Sequence, residues 1–309
     1  MSIAQSFIGI DIARTRLDIF DEARGPLAIA NAPDAVAAFL ASLCGRSVTV
    51  VFEATGPYDR GLREGLAAAG IPAIRVNPGR ARDFARAAGY LAKTDAVDAR
   101  MLAAMGRAIA MPPAEPVDPQ REEINALARQ RDWLVELRAQ EKTRLPQASA
   151  QPVRASIEGH IAWLDRQIRA IETALETLIE ATPELRETKR LLQTAPGVGP
   201  VTATILIAQI PELGRRSPKT IAALAGLAPL NNDSGDKRGR RSIKGGRRRV
   251  RRALYMAALS AIRAVPRFAL AYAAIAQRAA SKKVAIIAVA RKLLVALNAM
   301  IAKRQPFAP

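Results

Sequence analysis

The chain has 309 residues, half of them apolar, which suffices for one large or two ordinary domains around a real core. Lys and Arg number 47 against 28 Asp and Glu, a net charge of +19 that points to nucleic acid as the partner, with a membrane surface a distant second. The single Cys44 excludes an internal disulfide and a cysteine zinc site, and a Ser/His/Asp hydrolase could be built only around the single His160.

Residues 1–115 read as α/β. Strands are predicted at 6–12, 17–21, 28–31, 47–53 and 73–76, with helices at 34–43 and 59–69 behind starts at Pro33-Asp34 and Pro57-Tyr58-Asp59. The order β-β-β-α-β-α-β, with three strands close together, suggests an antiparallel meander followed by βα units. RNase H-like folds have that arrangement. Cys44 is expected to be a small core hydrophobe. The Pro-rich stretch Met111-Pro-Pro-Ala-Glu-Pro116-Val-Asp-Pro119 is a linker candidate.

Residues 116–190 read as helical. Ile157, Ile161, Leu164, Ile168, Ile171, Leu175 and Leu178 form a heptad seam, which serves either a helix packed in its own bundle or, as the favoured reading, a dimerising coiled coil. Residues 191–309 form a third, mainly helical region. There Ala195-Pro-Gly197-Val-Gly199-Pro joins two apolar helical segments and resembles a helix-hairpin-helix, whose free N–H groups hold phosphate. Next come the polar turn Asn231-Asn-Asp-Ser234-Gly235 and a basic run: Lys237, Arg238, Arg240, Arg241, Lys244, Arg247, Arg248, Arg249, Arg251 and Arg252. That run contains no acid, so its cations repel one another unless an anion such as phosphate is present. Aromatic residues are few, so base stacking is not expected to dominate. No signal peptide or membrane span is expected, because the longest apolar runs look short and carry Arg or Pro.

Four carboxylates stand out. Asp11 ends the apolar run Phe7-Ile-Gly-Ile-Asp11, and Glu53 ends Val50-Val-Phe-Glu53 before the turn Ala54-Thr-Gly56. Asp95 and Asp98, in Lys93-Thr-Asp95-Ala-Val-Asp98, lie three apart on one helical face. Carboxylates from three segments of a basic chain suggest one or two divalent ions, Mg²⁺ above all, working on a phosphodiester. Lys93 is placed to bind phosphate beside them. Asp18 and Asp21 fit ordinary strand-edge roles. Ser234 sits on a Gly-flanked turn directly before the basic run, where a hydroxyl could attack a phosphodiester if a base or metal activated it.

Together these motifs resemble the DEDD-type, RuvC-like domain of insertion-sequence transposases of the one-hundred-and-ten type, also called bridge-RNA-guided recombinases. Pro196-Gly-Val-Gly-Pro, Leu224-Ala-Gly-Leu-Ala-Pro229, Asn232-Asp-Ser234-Gly and Gly245-Gly-Arg are similar to that family's second domain. The resemblance covers nearly the whole chain: a RuvC-like domain at 1–115, a helical coiled coil at 116–190 and a serine transposase domain at 191–309. It implies that Asp11, Glu53, Asp95 and Asp98 bind the metal and that Ser234 forms a covalent 5′-phosphoserine with DNA. It also implies dimers that pair into a tetramer, active sites that combine domains of different subunits, and strand exchange through a Holliday-junction-like intermediate. Double-stranded donor and target DNA and a structured noncoding guide RNA are the implied partners. A cytoplasmic, bacterial, nucleoid-associated location is expected. No motif is carried over for the tail after about Ala280.

Three rivals remain. The first is a RuvC-like junction resolvase in which Ser234 is only a turn. The second is a nucleic-acid-binding scaffold using the basic run and the seam. The third, an actin-like ATPase suggested by the Gly-Ile-Asp strand, is weakened because no second Gly-rich phosphate loop is evident.

Overall fold

The computed structural model describes residues 6–90, 94–114, 118–231, 239 and 241–308. It divides into two compact units, Met1–Asp118 and Pro119–Pro309.

In the first unit, β1 (Ser6–Ile12), β2 (Arg16–Asp21) and β3 (Gly25–Ala30) form an antiparallel meander. After helix α1 (Pro33–Ala41), β4 (Val48–Glu53) pairs parallel with β1; after α2 (Arg60–Ala68), β5 (Ala73–Val76) pairs parallel with β4. The sheet order is β3-β2-β1-β4-β5. Two further helices follow, α3 (Pro78–Ala87) and α4 (Asp95–Ala108). The central strands β1 and β4 are largely apolar on both sides because both sides are covered, whereas the edge strand β3 is mostly exposed. Ile8, Ile10, Leu17, Val50 and Phe52 pack with Phe39, Leu40, Leu62 and Leu66 of α1 and α2. Val51, Ile74 and Val76 pack on the other face with Met101, Leu102 and Met105 of α4.

Pairing between strands and helices is reinforced by a few buried charges. Asp59 is fully buried and accepts from Arg63 at 3.0 Å and Arg75 at 2.7 Å. Asp21 takes a two-pronged bond from Arg46, at 2.7 and 2.9 Å. The guanidinium beside Asp21 holds its carboxyl below the usual range, although burial alone would raise it. Cys44 departs from expectation: it is exposed, in the turn after α1, where the neighbouring Leu43 takes the place in the core.

The second unit is built on a helical hairpin, α5 (Pro119–Arg144) and α6 (Gln151–Glu180). The α6 seam packs against α5 of the same chain: Leu164 and Ile168 meet Leu134, while Ile171 lies against both this cluster and the main core of the unit. Arg131–Glu172 at 2.9 Å and Arg138–Asp165 at 2.5 Å clasp the hairpin. The chain continues through α7 (Pro183–Gln193), α8 (Pro200–Gln209) and α9 (Pro218–Leu224). A short antiparallel ribbon follows, β6 (Pro229–Leu230) with β7 (Ser242–Ile243), then α10 (Arg248–Ala264), α11 (Pro266–Ala276) and α12 (Lys282–Lys303).

One core runs from Ile124 and Ala128 of α5, through Leu206 of α8 and Leu254 of α10, to Val289, Leu293 and Leu297 of α12. Among the described residues α12 is long and apolar enough to cross a membrane, unlike the short runs expected from the sequence. It passes that test as a core helix, with half of its apolar window buried and Arg291-Lys292 in its middle.

Candidate active site and nucleic-acid interface

Alternation along β1 sends Ile8, Ile10 and Ile12 towards α1 and α2, and therefore Phe7, Gly9 and Asp11 towards α4. Gly9 lets α4 lie directly on the strand. A Cβ there would stand 1.9 Å from the Ala99 carbonyl oxygen and 2.5 Å from the Ala103 nitrogen. One pleat further along lies Gly106, whose Cβ would strike Phe7 and Val51. The helix therefore runs antiparallel to β1, with its N-terminal turn at the Asp11 end. Thr94 caps that turn by accepting from the Val97 N–H at 3.3 Å, and the turn carries Asp95 and Asp98. Glu53 follows the last paired residues of β1 and β4, Ile10 and Phe52, so it ends its strand beside Asp11 and on the same face.

Asp11 senses the other three carboxylates. Asp11 is half-buried, and its carboxyl is pushed up to about 6, first by burial, then by the charges of Asp98, Asp95 and Glu53, against the lowering effect of a backbone hydrogen bond from Ile12. Among the described residues, no three His, Cys, Asp or Glu side chains are already close enough to grip a metal ion. The donor set nonetheless fits a hard divalent cation: it is all oxygen, from the carboxyl ends of the parallel strands β1 and β4 and the first turn of α4, and a cation would relieve the repulsion felt by Asp11.

Asp18 also belongs to this face. It pairs directly across from Asp11, it is buried, and its carboxylate accepts from Arg16 at 2.7 Å and 3.0 Å. Arg16 in turn feels Asp95. Sequence pattern alone suggests no more than a strand-edge role for Asp18. The signal that could have placed it is register: seven positions from Asp11 across a tight turn, with alternation intact on both strands.

In the second unit, Ser234 lies outside the described residues, as do Lys237, Arg238 and Arg240; so does Lys93 in the first. The two motifs that flank Ser234 in sequence meet each other. Gly226 and Gly246 approach so closely that a Cβ on Gly246 would stand 2.2 Å from the Gly226 nitrogen. Arg251 donates to the Gly245 carbonyl at 2.7 Å and to that of Gly226 at 3.3 Å, and the Arg247 N–H donates to Leu224 at 2.8 Å. The glycines of both motifs thus brace the ends of the ribbon whose connection carries Ser234.

The basic run divides into two sets. Arg247 is bound by Glu212, with both bonds at 2.6 Å; Arg249 by Asp132 at 2.7 Å; and Arg252 by Glu136 at 3.1 Å. With Arg251, these four side chains already have folding partners. Arg241, Lys244 and Arg248 are exposed, and none has an acidic partner among the described residues. Gly197, in the turn between α7 and α8, faces α10: a Cβ there would stand 2.2 Å from the Ala257 carbonyl oxygen. Its role in the fold is close packing. Gly199 stands open at the N-cap of α8.

A sheet of this order, with carboxylates gathered at the ends of β1 and β4, is compatible with an RNase H-like domain, the architecture of metal-assisted nucleic-acid cleavage. A DEDD-type IS110 transposase model matches residues 8–148, and the model described as "Transposase IS116/IS110/IS902 family" matches 189–273. The chain is 31% identical over 262 residues to the "Pilin gene-inverting protein" of Moraxella bovis, covering 84% of this chain and 81% of that protein. Its counterpart in Moraxella lacunata matches over the same length at the same identity. An uncharacterized 43.6 kDa protein of insertion element IS110 from Streptomyces coelicolor is 30% identical over 149 residues, 47% of this chain and 36% of its own. The chain belongs to the IS110 family of transposases. It is a DNA transposase/recombinase, and the DEDD-type domain suggests a divalent-metal requirement.

Proposed function

We propose that this transposase excises and inserts its element by RNA-guided strand exchange through a phosphoserine bond to DNA, with Mg²⁺ at the carboxylate site. The observation that carries the reading is the convergence of Asp11, Glu53, Asp95 and Asp98 on one end of the sheet, felt as the raised carboxyl of Asp11. These four residues would hold Mg²⁺, which when bound supplies charge neutralisation and polarisation of a phosphodiester.

The chain's own chemistry is as follows. The Ser234 Oγ attacks the phosphorus and loses its proton to a nearby base or to water; a Ser234–phosphate bond forms, the bond to the 3′ oxygen breaks, and a 3′-hydroxyl leaves. A 3′-hydroxyl from another strand then attacks the same phosphorus and releases the serine. The ester preserves the phosphodiester energy, so rejoining needs no ATP. Arg241, Lys244 and Arg248 offer unpaired charge to the DNA backbone. Relatives named for inverting a pilin gene support a reaction that rejoins as well as cuts, because an inverted segment must be resealed.

The guide RNA, the assembly of dimers into a tetramer and action in the cytoplasm are parts of the same proposal. The test is a two-plasmid recombination assay with and without the noncoding transcript flanking the gene. Joined donor–target product only in the presence of the transcript is expected. Equal product without any RNA would remove guidance from the account.

A further inference from the structure

All of the chain's net charge lies in residues 237–309. That stretch holds 19 of the 47 Lys and Arg and none of the 28 acids, so the rest of the chain balances to zero. Part of this charge surrounds a groove of about 990 Å³ between the β6–β7 ribbon and α12. Its floor is aliphatic, with Ile243 from the ribbon and Val284, Ile287 and Val295 from the helix. Arg241, Lys283, Arg291 and Lys292 also line it, with no acid among the lining residues. None of these four has an acidic partner among the described residues.

The fold makes the charge costly here. Lys282 and Lys283 occupy the first turn of α12, where the helix dipole disfavours cations, and Ser281 gives that end no side-chain cap. Val284, at the mouth, is 44% exposed. An anion at this place would relieve the cationic repulsion, and something apolar attached to it would cover the floor.

We infer that this groove binds a single strand of DNA, with phosphates on Arg241, Lys283, Arg291 and Lys292 and an unpaired base or sugar on the aliphatic floor. A duplex keeps its base faces stacked inside and could reach only the rim. Bases freed from pairing expose apolar faces, and strand exchange frees them. The ribbon wall supplies the direction, because β6 and β7 flank the segment that contains Ser234 in sequence. The choice of DNA rests on the recombinase reading given above; the groove's chemistry does not.

The test is fluorescence anisotropy of the full chain with a labelled mixed-sequence single-stranded oligonucleotide and with the matching duplex, across a salt series. The variants are the triple K283A/R291A/K292A and, separately, Val284→Ser; circular dichroism checks that each is folded. The triple variant should lose at least about tenfold in single-strand affinity, and its log–log salt slope should flatten by about 2, near 0.7 for each phosphate left without its cation. Val284→Ser should weaken single-strand binding severalfold, leaving the salt slope and the duplex affinity unchanged. Unchanged single-strand binding in the triple variant overturns the inference. So does equal loss for duplex and single strand with no effect of Val284→Ser, the behaviour of a generic charged surface. Lost binding to phosphatidylglycerol vesicles with DNA binding intact would assign the groove to a lipid surface instead. The two readings fail separately: Ser234→Ala must leave groove binding as it is, and the triple variant must still form the serine adduct at saturating DNA.

Discussion

Replacing Asp11 with Asn is expected to make the first unit more stable while abolishing its chemistry. The carboxyl of Asp11 is pushed up from 3.8 to about 6 in the fold. Each pK unit is worth about 1.4 kcal/mol, so keeping Asp11 ionised at neutral pH would cost roughly 3 kcal/mol in a dry site. Asp11 is only half-buried, and water screens its neighbours, so a cost of about 1–2 kcal/mol is the realistic figure. The sign follows from which form the fold prefers. Below about pH 3.8 the group is protonated in both folded and unfolded chains and costs nothing. The penalty grows between pH 3.8 and 6 and is complete above 6. Urea denaturation in EDTA at pH 7.5 should therefore find Asp11→Asn more stable than the wild type by about 1–2 kcal/mol, with the gap closing near pH 4. Added Mg²⁺ should stabilise the wild type and narrow the gap at pH 7.5. A variant equal to or less stable than wild type at pH 7.5, or a gap that persists at pH 4, would refute the claim that the four carboxylates share one repulsive site.

Further outcomes follow from the same geometry. Gly9→Ala drives a methyl into the α4 backbone, so it should destabilise the first unit by about 2–3 kcal/mol in urea titrations and reduce activity with it. Asp59→Ala leaves Arg63 and Arg75 without their buried partner and should cost about 3–5 kcal/mol, read as a lower thermal midpoint with no direct effect on DNA affinity. Lys244→Ala with Arg248→Ala should leave the melting curve unchanged and flatten the salt dependence of duplex binding by about 0.9 for each phosphate no longer neutralised. Arg249→Ala, by contrast, should lower stability as well, because Asp132 keeps only its longer pair with Arg131 and the Ala128 carbonyl loses a donor.

The first unit was largely legible from sequence because its signals are local. Strand alternation, Pro-bearing helix starts and the Gly-Ile-Asp run located five strands and two helices to within a few residues, with Asp11 and Glu53 near the ends of two of those strands. The helix at Pro78–Ala87 escaped because it buries so little: only Ala81 is fully covered, where α2 sends Leu62 and Leu66 into the core. Asp18 escaped because its importance comes from pairing with Asp11, a matter of register. In the second unit the periodicity of α6 was readable, but its packing partner was not: a heptad seam looks the same whether α5 or another chain fills it. Likewise, the ten cations after Ser234 form one run in sequence. They separate only when Glu212, Asp132 and Glu136 arrive from distant segments to claim Arg247, Arg249 and Arg252. The cations of α12 carried a signal of their own, the complete absence of acids from residue 237 onward.

The measurement that bears most directly on the central claim is covalent trapping. Full-length protein, the RNA transcribed from the DNA flanking its gene, Mg²⁺ and labelled junction DNA are combined and resolved on a denaturing gel. The account predicts a protein–DNA adduct that needs RNA and Mg²⁺ and is absent in Ser234→Ala and in Asp11→Ala. Cleavage without any adduct, retained in Ser234→Ala and lost in Asp11→Ala, would contradict it and leave a metal-dependent nuclease in its place.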